Sequence, residues 1–178
     1  IKENSIKSPQ NFYGMSKMFA EEQITLFSKR FNLNYIILRF DGIFGYKQNL
    51  PGFSKMCYEK FVNNEDIELF NSGMQIRDHV YVDDAVDSIV LSVKKLKKIK
   101  QGIFNIGGGQ PISNYARAML IKKNLQSKSK LIKIKRSNPS ISNIFLDLKR
   151  AKKILGYKPK SVNQNTLKYL KELSKNEK

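Results

Sequence analysis

A tyrosine and a lysine stand four residues apart in Tyr13-Gly14-Met15-Ser16-Lys17, a spacing that stacks a phenol and an ammonium on one face of a helix. A free tyrosine titrates near ~10, so acting as a base near neutrality takes a shift of about 3 units, worth roughly 4 kcal/mol of preferential stabilisation of the phenolate. A neighbouring ammonium supplies part of that. Taken alone, the pair reads as a packed tyrosine beside a solvated lysine. Three segments further along the chain reverse the balance: Leu38-Arg39-Phe40 leading into Asp41-Gly42, an arginine in Gly73-Met74-Gln75-Ile76-Arg77-Asp78-His79-Val80-Tyr81-Val82-Asp83-Asp84, and Phe104-Asn105-Ile106-Gly107-Gly108-Gly109.

The elements that must position these groups alternate between helix and strand. Ser8-Pro9 is a helix start, and Met15, Met18, Phe19, Glu22, Ile24 and Phe27 sustain a mainly helical pattern to about Phe31. Asn32 and Asn34 break it. Tyr35 to Phe40 is a near-continuous apolar run, as expected of a strand covered on both faces of a parallel sheet. Asp41 to Gly52 reads as a functional loop and Phe53 to Asn63 as a helix. Ile67 to Phe70 is a short strand, Asn71 to Gly73 a turn, and an alternating strand runs through Val80-Tyr81-Val82. Asp83 or Asp84 then caps a helix from Ala85 with an apolar stripe at Val86, Ile89, Val90, Val93 and Leu96. Its closing run of lysines suits a helix C-terminus.

Ile103 to Ile106 is a strand, and Ser113 caps a helix ending near Asn124. Leu131 to Lys135 and Ile144 to Leu146 read as edge strands, Lys149 to Leu155 as a last helix, and the Lys- and Asn-rich tail beyond Pro159 as weakly ordered. No internal repeat is present.

Composition bounds the function. A chain of 178 residues, 40% of them hydrophobic, buries one respectable core. The formal charge of +18 would steer the protein toward polyanions, but a lysine excess accompanied by Asn and Ile is also what an A/T-rich genome produces. Neither clustered aromatics on a basic strand nor a helix-turn-helix is recognisable, so nucleic acid ranks last among partners. The single cysteine, Cys57, rules out an intrachain disulfide framework and makes the cytoplasm the default compartment. No apolar run approaches the ~20 residues needed to cross a bilayer, so no membrane partner is expected. With one histidine, His79, far from Cys57 in sequence, no metal site is expected.

In four motifs the chain resembles the extended short-chain dehydrogenases/reductases, the NAD(P)-dependent nucleotide-sugar epimerases, dehydratases and reductases. Tyr13 and Lys17 meet Tyr-x-x-x-Lys, and Arg39 to Gly45 partly meets the Arg-x-x-Asn-x-Tyr-Gly-Pro loop. Gly73 to Asp84 meets Gly-x-Gln-x-Arg-Asp-x-Val-Tyr-Val-Asp-Asp at every named position, and Asp147 to Pro159 meets the closing pattern with Arg150 in place of a lysine. The similarity runs from about Ser8 to about Pro159.

The resemblance implies an α/β fold: the C-terminal part of a doubly wound parallel, Rossmann-like sheet plus a smaller mixed α/β substrate-binding domain. Residues 1–45 would close the cofactor domain, 46–160 would be mainly substrate domain and 161–178 a basic tail. Tyr13 and Lys17 are implied as catalytic residues, with Phe40 and Asp41 joining them around NAD or NADP. Arg77, Gly42 and Asn105 are implied around the nucleotide-sugar. Arg77 would hold the diphosphate, its planar fork suiting two phosphate oxygens; the plainer alternative is a salt bridge to Asp78 or Asp83. Asn105 and its glycines shape a turn near the pocket, since no dinucleotide-type glycine fingerprint is present. Gly42 stands where the family carries Asn and Tyr46 where it carries Pro, so the sugar contacts of that loop differ. The glycine-rich cofactor turn would lie upstream of Ile1, so the isolated chain is expected to be inactive. A homodimer is the expectation by resemblance. The competing reading is a non-catalytic nucleotide-sugar-binding remnant or pseudoenzyme.

Overall fold

Two asparagines set the limits of the first helix. In the computed structural model, which describes residues 1–48, 52–135 and 143–176, the Asn11 side chain accepts from the Gly14 N–H at 2.8 Å and opens α1 (Phe12–Phe31). Asn32 closes it in the left-handed conformation at φ 51°. The start is later than the Ser8-Pro9 signal suggested, because the cap comes from Asn11. Next come β1 (Tyr35–Phe40), β2 (Ile43–Phe44), α2 (Phe53–Val62), β3 (Ile67–Phe70), a 3₁₀ turn at Asn71–Gly73, β4 (Ile76–Arg77), β5 (Val80–Tyr81) and α3 (Val82–Ile99). After them come β6 (Gln101–Ile106), β7 (Ile112–Ser113), α4 (Asn114–Leu125), β8 (Leu131–Ile134), a π turn at Ala151–Leu155 and α5 (Val162–Asn176).

β1 pairs with β6, β2 with β5 and β3 with β8 in parallel, whereas β4 and β7 run antiparallel. The β1–β6 register sets Arg39 beside Asn105 and Phe40 beside Ile106. Parallel pairs separated by helical crossovers are what an α/β chain requires. Residues 49–51 of the loop expected over Asp41 to Gly52 lie outside the described residues.

Two buried clusters hold the chain together. One joins Phe104 and Ile106 of β6 to Val80, Ala85, Leu148, Leu155 and Tyr157. The other joins Phe44, Cys57, Phe61, Ile67, Leu69, Tyr81 and Ile121 to Tyr169, Leu170 and Leu173 of α5. The segment expected to be a weakly ordered tail is therefore a helix whose apolar residues, one turn apart, enter the core.

Three further expectations are corrected. The strand through Val82 divides, because the Asp78 N–H donates to the Asp41 side chain at 2.9 Å and leaves the ladder between β4 and β5. Helix α3 begins at Val82, so Asp83 and Asp84 do not cap it: Asp83 pairs with Lys168 and Lys160, while buried Asp84 accepts from Asn165 Nδ2 at 2.7 Å and the Lys160 N–H at 3.2 Å. Ile144 to Leu146 is not a strand, since the Ile144 N–H reaches Ile76 O while the Asp147 N–H reaches Ile1 O, two different segments and no ladder.

Helix α3 lies on the β1–β6 pair through its small residues. Ala85, Ser88 and Ser92 are buried, and the two serine hydroxyls donate to carbonyls of their own helix at 2.6 and 2.7 Å. The stripe of Val86, Ile89, Val90 and Val93 faces outward instead, 43–68% exposed.

Candidate functional site

The site is assembled where β1 ends. Asp41 accepts from the Gly42 N–H through one carboxylate oxygen at 2.8 Å and from the Asp78 N–H through the other at 2.9 Å. One side chain thus ties the loop after β1 to the β4–β5 connection. Gly42 closes the joint: a Cβ there would lie 2.7 Å from His79 Cδ2, inside any tolerable contact. The Val80 N–H donates to Gly42 O at 3.0 Å.

Asp78 is the hub of this region. It is 1% exposed, and its Oδ1 accepts from the Gln110 N–H at 3.0 Å while the Gly108 N–H donates to its carbonyl at 3.0 Å. The other carboxylate oxygen, Oδ2, has no hydrogen-bond partner among the described residues, and burial raises the carboxyl pKa above its ordinary value. The run Gly107-Gly108-Gly109 exists for this packing. A Cβ on Gly107 would meet Asp78 Oδ2 at 2.6 Å, and one on Gly108 would meet the His79 carbonyl at 2.5 Å.

Two cavities adjoin the joint. The first, about 290 Å³, is walled by Gly42, Phe44, Gln48, Ser54, Arg77, His79 and Asn114. Arg77 is half-buried in its wall and forms no ion pair with a described residue. With the Gln75 amide oxygen turned toward it, the guanidinium donates at 2.7 Å from Nη2 and 3.1 Å from Nε. The salt bridge considered for Arg77 is not made, since Asp78 is engaged by backbone donors and Asp83 by lysines. His79 stays neutral: burial first, then the charge of Arg117, pushes its pKa down to about 4.

The second cavity is a groove of about 940 Å³ between α1 and β1, lined by Tyr13, Lys17, Glu21, Arg39, Phe40 and Asp41 among others. Tyr13 is 72% exposed, and the Lys17 ammonium lies 5.3 Å from its ring centroid. Helix α1 is fixed to β1 by Arg39, whose Nε and Nη2 each meet a Glu21 carboxylate oxygen at 2.7 Å. Gly42 and Ile43 line both cavities, so the two adjoin at this stretch of the chain.

Of the residues singled out by sequence, Tyr13, Lys17, Phe40 and Asp41 share the groove, and Gly42 and Arg77 share the smaller cavity. Asn105 stands apart and lines neither cavity. It is 1% exposed on β6, and its Nδ2 donates to Ile1 O at 3.0 Å and Asp147 O at 3.4 Å. An inward position on β6 points the amide at backbone carbonyls rather than at the cavity. Among the described residues no group of His, Cys, Asp and Glu is arranged to hold a metal ion.

Sequence reading passed over Arg117. It lies on α4 one turn beyond Asn114, is 2% exposed, and its guanidinium carbon sits 5.4 Å from the Phe44 ring centroid. Its signal was a charge flanked by Ala118 and Ile121, which are buried on that helix.

Residues 1–107 match the model of the NAD dependent epimerase/dehydratase family, and the chain belongs to that family. A provisionally assigned UDP-glucose 4-epimerase of Methanocaldococcus jannaschii is 30% identical over 162 residues, 89% of this chain and 52% of that protein. A solved UDP-glucose 4-epimerase from Thermotoga maritima, crystallised with UDP-glucose, superimposes with a TM-score of 0.88 at 24% identity, over 100% of this chain and 58% of that one. A UDP-glucuronic acid 4-epimerase from Bacillus cereus, in complex with UDP-glucuronic acid and NAD, superimposes with a TM-score of 0.86 at 21% identity, over 98% and 56%. The chain thus spans about half the length of the relatives it matches.

Proposed function

We propose that this chain carries the proton-transfer pair and the nucleotide-sugar cleft of an NAD(P)-dependent enzyme of the epimerase, dehydratase or reductase type. The observation that carries the reading is the junction at Gly42 and Ile43, which joins the cavity of Arg77 to the groove of Tyr13 and Lys17. Arg77 presents a forked donor, held by Gln75, to a diphosphate. Tyr13 takes a proton from a sugar hydroxyl, with the Lys17 ammonium 5.3 Å from its ring centroid. Tyr13, Lys17, Phe40 and Asp41 would line the place of a nicotinamide cofactor, which would supply the hydride acceptor for oxidation of that sugar carbon.

The side chains in the groove fit the nicotinamide end of such a cofactor. Tyr13 and Lys17 offer exposed polar groups on the wall of a cavity of about 940 Å³, with Phe40 and Asp41 beside them. The Gly107–Gly109 turn is committed to packing on Asp78 and His79 and is no phosphate cradle. A protein that binds a nucleotide-sugar without turning it over is the second reading, and it would use the Arg77 cavity alone.

The test is turnover of a panel of nucleotide-sugars, with NAD and with NADP, by the polypeptide of the complete reading frame. Conversion that disappears in Tyr13→Phe while binding of the sugar nucleotide persists supports the enzyme. Binding without conversion in the wild type supports the second reading.

A further inference from the structure

His79 sets a polar edge at the stretch of chain where the two cavities adjoin. Gly42 lines both cavities and brings no side chain of its own to either. The imidazole stands in its place: a Cβ on Gly42 would lie 2.7 Å from His79 Cδ2 and 3.0 Å from Nε2. The ring thus fills the space that a side chain at position 42 would take, and the edge carrying Nε2 is the one turned to Gly42. His79 itself lines the cavity of Arg77.

That edge has no use within the fold. The ring packs on Phe44 with centroids 6.5 Å apart, but no hydrogen bond joins it to another described residue. Nearby polar groups are committed: both Asp41 oxygens take backbone N–H donors, and the Gln75 amide oxygen holds Arg77. The nitrogens of a half-buried imidazole call for a partner from solvent or from a ligand.

Its chemistry selects among ligand groups. Burial and the charges of Arg117 and Arg77 keep the ring neutral, so it offers one N–H donor and one bare nitrogen acceptor. A hydroxyl is likewise both donor and acceptor and suits either nitrogen. Phosphate and carboxylate oxygens only accept, and the fork of Arg77 meets them better. The wall therefore offers an anionic group and a hydroxyl group two different partners.

We propose that His79 is a specificity-determining residue of this cleft, its imidazole hydrogen-bonding one hydroxyl of the hexose at the Gly42 junction while Arg77 holds the diphosphate. The proposal rests on reading the cleft as a nucleotide-sugar site. It places the recognition of the sugar on a ring that replaces the missing side chain at position 42.

Calorimetric titration of the polypeptide of the complete reading frame with UDP, UDP-glucose, dTDP and dTDP-glucose tests this, in wild type, His79→Phe and His79→Gln. His79→Phe keeps a ring beside Gly42 and removes both nitrogens. A loss of about 3- to 10-fold for the sugar nucleotide, with the free diphosphate bound as in wild type, supports the proposal. His79→Gln returns a donor and an acceptor, and recovery of part of the lost affinity supports it further. Should His79→Phe not fold, magnetic resonance of the wild type decides: the sugar nucleotide is expected to move the His79 ring signals further than the free diphosphate does, and equal movement overturns the proposal. Wild-type affinity of His79→Phe for every probe, or an equal loss for sugar nucleotide and free diphosphate, overturns it and leaves the nucleotide-sugar reading standing. Absence of binding of all four probes by the wild type overturns both.

Discussion

Arg39 on β1 grips Glu21 on α1 by two parallel hydrogen bonds, each 2.7 Å. The pair stands two helical turns beyond Tyr13, and it fixes the face of α1 that presents the tyrosine and Lys17 to the groove. Both side chains are partly buried, 21% and 14% exposed, so the forked geometry is less screened than at an open surface. Replacing Arg39 by Met is expected to lower stability by about 1.5–3 kcal/mol, a range typical of hydrogen bonds to charged groups. Chemical denaturation measures it.

The same pair gives the protein an acid-sensitive element. The Arg39 hydrogen bonds are the largest cause of a lowered Glu21 pKa. A carboxyl lowered in the folded state contributes stability that is fully present above its unfolded value near 4.5 and is lost as pH falls through the folded value. Glu21→Gln is expected to remove that part of the pH dependence, so the stability gap between wild type and variant should narrow below about pH 4.5.

His79 adds a second pH dependence in a higher window. Its pKa is pushed down to about 4, chiefly by burial, so it is buried neutral and protonates more readily when unfolded. Its contribution is complete above the unfolded value near 6.5 and declines as pH falls toward about 4. In a nuclear magnetic resonance titration its ring signals should hold still from pH 8 to about 5. His79→Gln should flatten the fall in stability over that interval.

Helix α5 is a structural part of the fold. Leu173 is 2% exposed within the cluster that also holds Phe44 and Tyr81. Leu173→Ala is expected to destabilise by about 2–5 kcal/mol, whereas Lys171→Ala, on the exposed face, should change stability by less than ~0.5 kcal/mol. Thermal unfolding of the two variants separates them.

Asn105 carries a prediction of the opposite kind from a binding residue. Asn105→Leu removes the buried amide's donations to Ile1 O and Asp147 O and is expected to cost about 1–3 kcal/mol of stability. Affinity for a nucleotide-sugar, measured on the folded fraction, should stay at the wild-type value.

Much of this fold could be read from period and punctuation. The continuous apolar run of β1 and the serine before α4 act locally, and local physics is what a single sequence displays. Positions decided by tertiary contact were hidden. Asp83 and Asp84 fit a capping pattern, yet Lys168, Lys160 and Asn165 from the far end of the chain claim them. The valines of α3 form a clean stripe, but the small residues on the other face allow the close approach to the sheet. Composition concealed α5, where Tyr169, Leu170 and Leu173 share one face among lysines and asparagines.

The site shows the same division. The Tyr13–Lys17 spacing and the Gly73–Asp84 segment point to chemistry through residue types alone. Arg117 and Asp78 acquire their meaning from burial: the motif contains Asp78 without displaying its role, and no motif marks Arg117. Asn105 suggests a pocket through its place near three glycines, whereas its inward turn on β6 shows only in the fold.

The most direct test of the central claim is a crystal structure of the complete polypeptide with a bound nucleotide-sugar. The account predicts the diphosphate against Arg77 and the hexose at the Gly42–Ile43 junction, with a ring hydroxyl in hydrogen-bond reach of Tyr13 Oη. A nucleotide-sugar bound away from Arg77, or a hexose directed out of the groove of Tyr13, would contradict it.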